Sequence, residues 1–141
     1  MRVEDERYRR GVEILRRLSG NGAEQVTNKV AEVAPDFAGM TIEFPFGDLY
    51  ARGAIDLRTR EVAAIAALAA LGHFPQLRIH VEAALQLGAA AAEIIEILMQ
   101  TAIYAGFPAA LNALAECHDL LAGGAAPPQC RRESAADSLD R

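Results

Sequence analysis

Residues Glu61–His80 read EVAAIAALAALGHFPQLRIH. The run opens with an acid, continues as an alanine-rich apolar helix, and breaks at Gly72. Pro75 can open a second helix, which carries Arg78 and His80. A hairpin of this kind can bring one carboxylate and one imidazole, from neighbouring helices, into an otherwise apolar space. Such a pair can share a proton and titrate away from its ordinary values. The stretch therefore predicts both a helical fold and an acid/base site.

The flanks extend the same pattern. Asp56 is a good N-cap for a helix over 57–71, closed by Gly72. The helix opened by Pro75 runs to Leu87 and is stopped by Gly88. Another starts near Ala91, with Glu93 favourable to its dipole, and ends around Tyr104-Ala105-Gly106. Pro108 opens the last one, to about Leu121. Upstream, 4–18 reads as an amphipathic helix with Val12, Leu15 and Leu18 on one side. SGNG at 19–22 ends it, a helix follows over about 23–33, and Pro35 starts a short third one. The segment EFPFGDLYARG at 43–53 holds three aromatics and reads as a loop or short helix with packed rings. No segment reads as a strand. The expectation is an all-α, compact domain of about six to seven helices over 1–122, followed by a disordered tail over 123–141.

At 141 residues the chain is one domain, large enough to bury roughly two thirds of its unfolded surface. Hydrophobic residues make up 52% and aromatics 6%, with no Trp, so the interior is aliphatic. Small alanine side chains allow closely packed helices. So much apolar surface on a small domain also predicts a homo-oligomer. The net charge of -5 argues against nucleic acid as a partner. Lys29 is the only lysine, so the cations are almost all arginine. Arginines hold helices together and keep surfaces soluble, but they also grip carboxylates bidentately.

Cys117 and Cys130 form no CxxC and read as free thiols in a reducing compartment. No apolar segment follows Met1, and the apolar run at 62–72 is too short to cross a bilayer. No membrane association and a cytoplasmic location are expected. His73, His80 and His118 offer no HxxxH or HxH spacing, so no metal site is expected.

The run RGAIDLRTREVAAIAALAALGHFPQLRIHVEAAL, followed by EIIEILMQTAIYAGFPAALNAL, resembles the carboxymuconolactone decarboxylase family. Gly47, Arg52, Asp56 and Arg60, then LAALG, Arg78 and His80, then QTAIYAGFPAA occur in order and carry the resemblance. It covers roughly 40–121. The superfamily has a second branch, the alkylhydroperoxidase-D-like reductases, whose motif is a Glu, a CxxC and a His. Laid on this chain, the Glu falls at Glu61 and the His at His80, but the cysteine positions fall at His73 and Gln76. Neither can form a disulfide or attack a peroxide, so thiol peroxidase chemistry is excluded. Glu61 itself resembles the peroxidase branch on a decarboxylase-like chain, so the substrate can differ from the type reaction.

The resemblance implies a cofactor-independent decarboxylase. In a carboxymuconolactone, loss of CO2 pushes electrons through the double bond onto the lactone carbonyl oxygen, and the dienolate is reprotonated on carbon. The substrate is its own electron sink, so neither a cofactor nor a metal is required. The protein must hold a small anionic substrate, stabilise the enolate and deliver a proton. His80, with Glu61, suits the proton transfer, while Arg52 and Arg60 suit the carboxylates. Phe46 and Tyr50 would wall the pocket, with His73 beside it. A homo-trimer or homo-hexamer with sites near subunit contacts is also implied.

Each residue has a plainer reading as well. His80 can be a histidine satisfied at a packing edge, and Glu61 a helix-start acid. His73 can cap carbonyls, and Arg52 and Arg60 can pair with Asp48, Asp56 or Glu61. Phe46 and Tyr50 can simply fill core, while Arg78 reads as structural and Tyr104 as packing. Two other functions stay open: a tailoring decarboxylase or isomerase of a larger aromatic or polyketide-like molecule, and a non-catalytic small-molecule-binding oligomer.

Overall fold

The computed structural model describes residues 6–18 and 22–124. Residues 1–5, 19–21 and 125–141, Cys130 among them, lie outside the described residues, and with them most of the tail expected over 123–141. The described elements are α1 (Glu6–Leu18), α2 (Gly22–Val33), α3 (Pro35–Ile42), a π-helix (Glu43–Tyr50), α4 (Leu57–Leu71), α5 (Phe74–Gln86), α6 (Ala91–Ala105), α7 (Phe107–Glu116) and α8 (His118–Leu121). The fold is all-α, with no strand among the described residues. None of these helices is long and apolar enough to cross a membrane.

The helix boundaries follow local chemistry. The Asp56 carboxylate accepts a 2.7 Å hydrogen bond from the Thr59 N–H and caps α4. Gly72 ends α4 in the left-handed conformation, at φ 74°, a position where a Cβ would be penalised. α5 and α7 both carry proline in their first turn, where the missing N–H costs nothing.

Two regions depart from the six to seven helices expected. The segment read as a loop or short helix is a π-helix continuing α3. Pro45 explains the wide turn. In an α-helix its ring would crowd the Thr41 carbonyl and leave it without a donor, and a π-type turn relieves that crowding. The helix expected from Pro108 to Leu121 is broken at Cys117 into α7 and α8. There Arg78 Nη1 donates to the Glu116 carbonyl at 2.6 Å, while Nη1 and Nη2 donate to the two Asp119 carboxylate oxygens at 2.7 and 2.9 Å.

The main core joins α7 and α8, through Ala113 and Leu121, to α4, α5 and α6, which meet in Ile65, Leu77, Val81, Ile94 and Leu98, all fully buried. Each such side chain contributes about 1.5–3 kcal/mol on leaving water. Ala69, Ala84 and Ala113, equally buried, keep the helices close. A second cluster, around Ile14, Leu18 and Ala83, packs α1 and the π-helix onto the ends of α4 and α5 through Phe46, Tyr50, Leu57 and Leu87.

α1 crosses the π-helix at backbone contact. A Cβ on Gly11 would sit 2.6 Å from the Ile42 carbonyl oxygen, and one on Gly47 would sit 2.2 Å from that of Arg7. Only glycine fits at either position. Arg7 Nε bonds both Asp48 oxygens, at 3.0 and 3.1 Å, and Arg10 Nε donates to the Gly47 carbonyl at 3.2 Å. This crossing fixes Tyr50, at the end of the π-helix, against α4.

Candidate active site

On α4 the buried positions are Glu61, Ile65 and Ala69. Four-residue spacing puts them on one stripe, so Glu61 occupies what is otherwise a core position. A buried carboxylate without partners would cost several kcal/mol. One of its oxygens has a partner: Oε2 lies 2.7 Å from Nδ1 of His80 on α5. Side-chain exposure is 1% for Glu61 and 24% for His80. The carboxylate is thus wholly enclosed, while the imidazole reaches the surface. With Nδ1 donating to Glu61, Nε2 is the nitrogen left for an incoming molecule.

The second oxygen, Glu61 Oε1, is buried with no hydrogen-bond partner. The phenol of Tyr50 adjoins this carboxylate. Burial pushes the Tyr50 pKa well above its ordinary range, and the Glu61 charge adds to the effect. Phe46 meets Tyr50 edge-on, at 5.2 Å between ring centroids. The Arg60 guanidinium covers the Tyr50 ring, 5.3 Å from its centroid. Arg60 also donates to the Arg52 carbonyl at 3.2 Å, which ties the turn after the π-helix to α4. Its Nε is buried and unpartnered.

Glu61, His80, Tyr50, Phe46 and Arg60 are therefore brought together, with Arg52 joined through its backbone. His73 is not. It is exposed at the start of α5 and its side chain makes no capping bond. Seven residues of helix separate it from His80, about 10 Å. The pairings open to Arg52 and Arg60 are also settled in part. Asp48 is held by Arg7 and Arg10, and Asp56 by the Thr59 N–H. Among the described residues, no three of His, Cys, Asp and Glu converge as metal ligands would. Cys117 lies fully buried, its thiol pushed up to about 11 by that burial.

A cleft of about 510 Å³ opens beside Tyr50, between the end of α1, the 51–56 turn and the start of α4. Tyr50 and Arg52 line it, with Arg17 and Arg58 on its walls; Glu61 and His80 do not. Arg17 and Arg58 were not legible as site residues. Arg17 reads as a cation complementing the end of α1, and nothing local links it to a turn 35 residues away.

The sequence matches the model of the carboxymuconolactone decarboxylase family over residues 35–119. It is 28% identical over 112 residues to a 4-carboxymuconolactone decarboxylase of Acinetobacter baylyi, covering 79% of this chain and 84% of that protein. It is also 34% identical over 85 residues to an uncharacterized 15.0 kDa protein from the nqo9-nqo10 intergenic region of Paracoccus denitrificans, covering 59% of this chain and 63% of that one.

Proposed function

The chain belongs to the carboxymuconolactone decarboxylase family, and on that premise we propose that it is a cofactor-independent carboxy-lyase of a small, anionic, unsaturated lactone such as those of aromatic-ring catabolism. The observation that carries this reading is the contact between His80 Nδ1 and the enclosed Glu61 carboxylate, 2.7 Å.

The reaction breaks the bond between the ring carbon and its carboxylate. The electron pair moves through the ring double bond to the lactone carbonyl oxygen, CO2 departs, and a dienolate remains. A proton from Nε2 of the His80 imidazolium then goes to carbon and restores a neutral enol-lactone. Glu61, facing Nδ1, fixes the ring and balances the positive charge. Such transfer contributes about 10²–10⁴-fold. Because the lactone receives the electrons itself, the chemistry asks the protein for position, charge and a proton. Arg60 is proposed as the carboxylate anchor, with Phe46 and Tyr50 as the apolar wall; Arg52 joins the site through its carbonyl, and its side chain lines the neighbouring cleft.

The exposed apolar residues Ile103, Tyr104, Phe107 and Leu111 on α6 and α7 support assembly as a homo-trimer or homo-hexamer. Light scattering on the purified protein measures that state directly.

The deciding experiment is turnover of γ-carboxymuconolactone, followed by ultraviolet absorbance without added metal, with His80→Ala alongside. Turnover that collapses in the variant is the expected result. An inert native protein would sink the type reaction and turn attention to larger tailoring substrates or to binding without catalysis.

A further inference from the structure

The cleft beside Tyr50 has the makings of a site in its own right. Its floor is aliphatic, from Ile14, Leu57 and Leu87. Its volume of about 510 Å³ is in the range of small-molecule sites. Three arginines, Arg17, Arg52 and Arg58, face a single acid, Asp56. Asp56 is already engaged by the Thr59 N–H, which lowers its pKa, and Arg58 is paired with Glu93. Arg17 and Arg52 have no ion-pair partner among the described residues. The start of α4 adds its positive dipole end to the same wall. Two guanidinium forks over an apolar floor suit a planar anion with an apolar body.

We infer that this cleft binds a carboxylate carried on a small apolar body, held by Arg17 and Arg52 over Ile14, Leu57 and Leu87, at a place separate from the Glu61–His80 pair. His80 and Leu87 stand about 10 Å apart along α5, so a ligand seated at Leu87 is not in contact with the imidazole. Tyr50 is the shared wall: it lines the cleft, and its phenol adjoins Glu61. Binding in the cleft does not depend on the decarboxylase reading.

Benzoate and hexanoate are the probes, titrated into the full chain and followed by amide chemical shifts. Benzamide, hexanol and inorganic phosphate serve as controls. The expected shifts centre on Gly53, Leu57 and Leu87. Arg17→Gln and Arg52→Gln should each weaken binding roughly tenfold or more, as loss of a charge-assisted contact does. Both changes are on exposed side chains, and an unchanged thermal melt confirms folding. His80→Ala should leave the binding intact even where it abolishes turnover. The inference is overturned if neither carboxylate binds at millimolar concentration, or if benzamide or phosphate binds as well as benzoate. It is also overturned if the arginine variants bind normally, or if the shifts centre on His80. Where turnover is present, benzoate raising KM alone would show competition with the substrate and overturn the separate site. A change in kcat identifies a separate carboxylate ligand.

Discussion

Nδ1 of His80 lies 2.7 Å from Oε2 of Glu61, across 19 residues of sequence and the turn between α4 and α5. The acid sits on the same stripe as Ile65 and Ala69 and shares their burial. An apolar side chain would be the ordinary occupant. Glu61→Gln keeps the size and removes the charge, so the imidazolium loses its counter-charge. Initial rates with the lactone should fall by about 10²-fold or more, and by as much or more in His80→Ala. Equal rates in Glu61→Gln and the native protein would reduce Glu61 to a structural role.

Glu61→Leu separates stability from activity. Removing one member of a buried pair is costly when the other stays enclosed, but the group left here is the imidazole, which is 24% exposed. His80, partly exposed, can turn its ring to water. The melting temperature should therefore hold or rise while turnover is lost. A large drop in melting temperature would mean that the pair holds the hairpin together.

The crossing of α1 and the π-helix has no room for a methyl group. Gly47→Ala would place a Cβ 2.2 Å from the Arg7 carbonyl oxygen, backbone against backbone, so α1 must move. A loss of about 1–3 kcal/mol or more is expected in urea denaturation. Gly53→Ala, with nothing within 4 Å of its Cβ, is the matched control and should change little.

Stability depends on pH at both ends. Asp119, gripped by Arg78, has its pKa lowered from 3.8 to about 2. Its contribution is complete above about pH 4 and is lost as pH falls through 2. Asp119→Asn should flatten that acid limb. Tyr50 has the opposite sense: its folded-state pKa is raised above 10.0, so its contribution is complete below pH 10 and is lost as pH rises beyond it. Tyr50→Phe should flatten the alkaline limb. Thermal melts across the pH range measure both.

Cys117 offers a probe of unfolding. Its thiol is fully buried and pushed up to about 11, so little thiolate exists at pH 8 and no reagent reaches it. In a Cys130→Ser variant, iodoacetamide labelling should be slow in the native protein and become fast in denaturant. Rapid native labelling would show that the α7–α8 break opens readily.

Much of this molecule was legible because its signals are local. Asp56, Gly72, Gly88 and the prolines of α5 and α7 act through their own backbone conformations, and the structure places helix ends where those residues predict. The Glu61–His80 pair was legible because a hairpin has one simple geometry. The π-helix was not, since helical periodicity assumes 3.6 residues per turn and Pro45 imposes a wider one. The break at Cys117 depends on Arg78, and the cleft on α1 and the 51–56 turn coming side by side. Those are tertiary contacts between distant segments, with no trace in local spacing.

The wide turn at Glu43–Tyr50 acts as a phase adjuster. Every residue in an α-helix advances the chain by about 100°, so deleting a single residue here would swing Tyr50 by roughly a quarter turn relative to α3. The aromatic wall would leave Glu61 while both the acid–base hairpin and the main core stayed in place. A length change of one residue in this segment would thus reshape the wall beside Glu61 and leave the acid–base pair itself untouched.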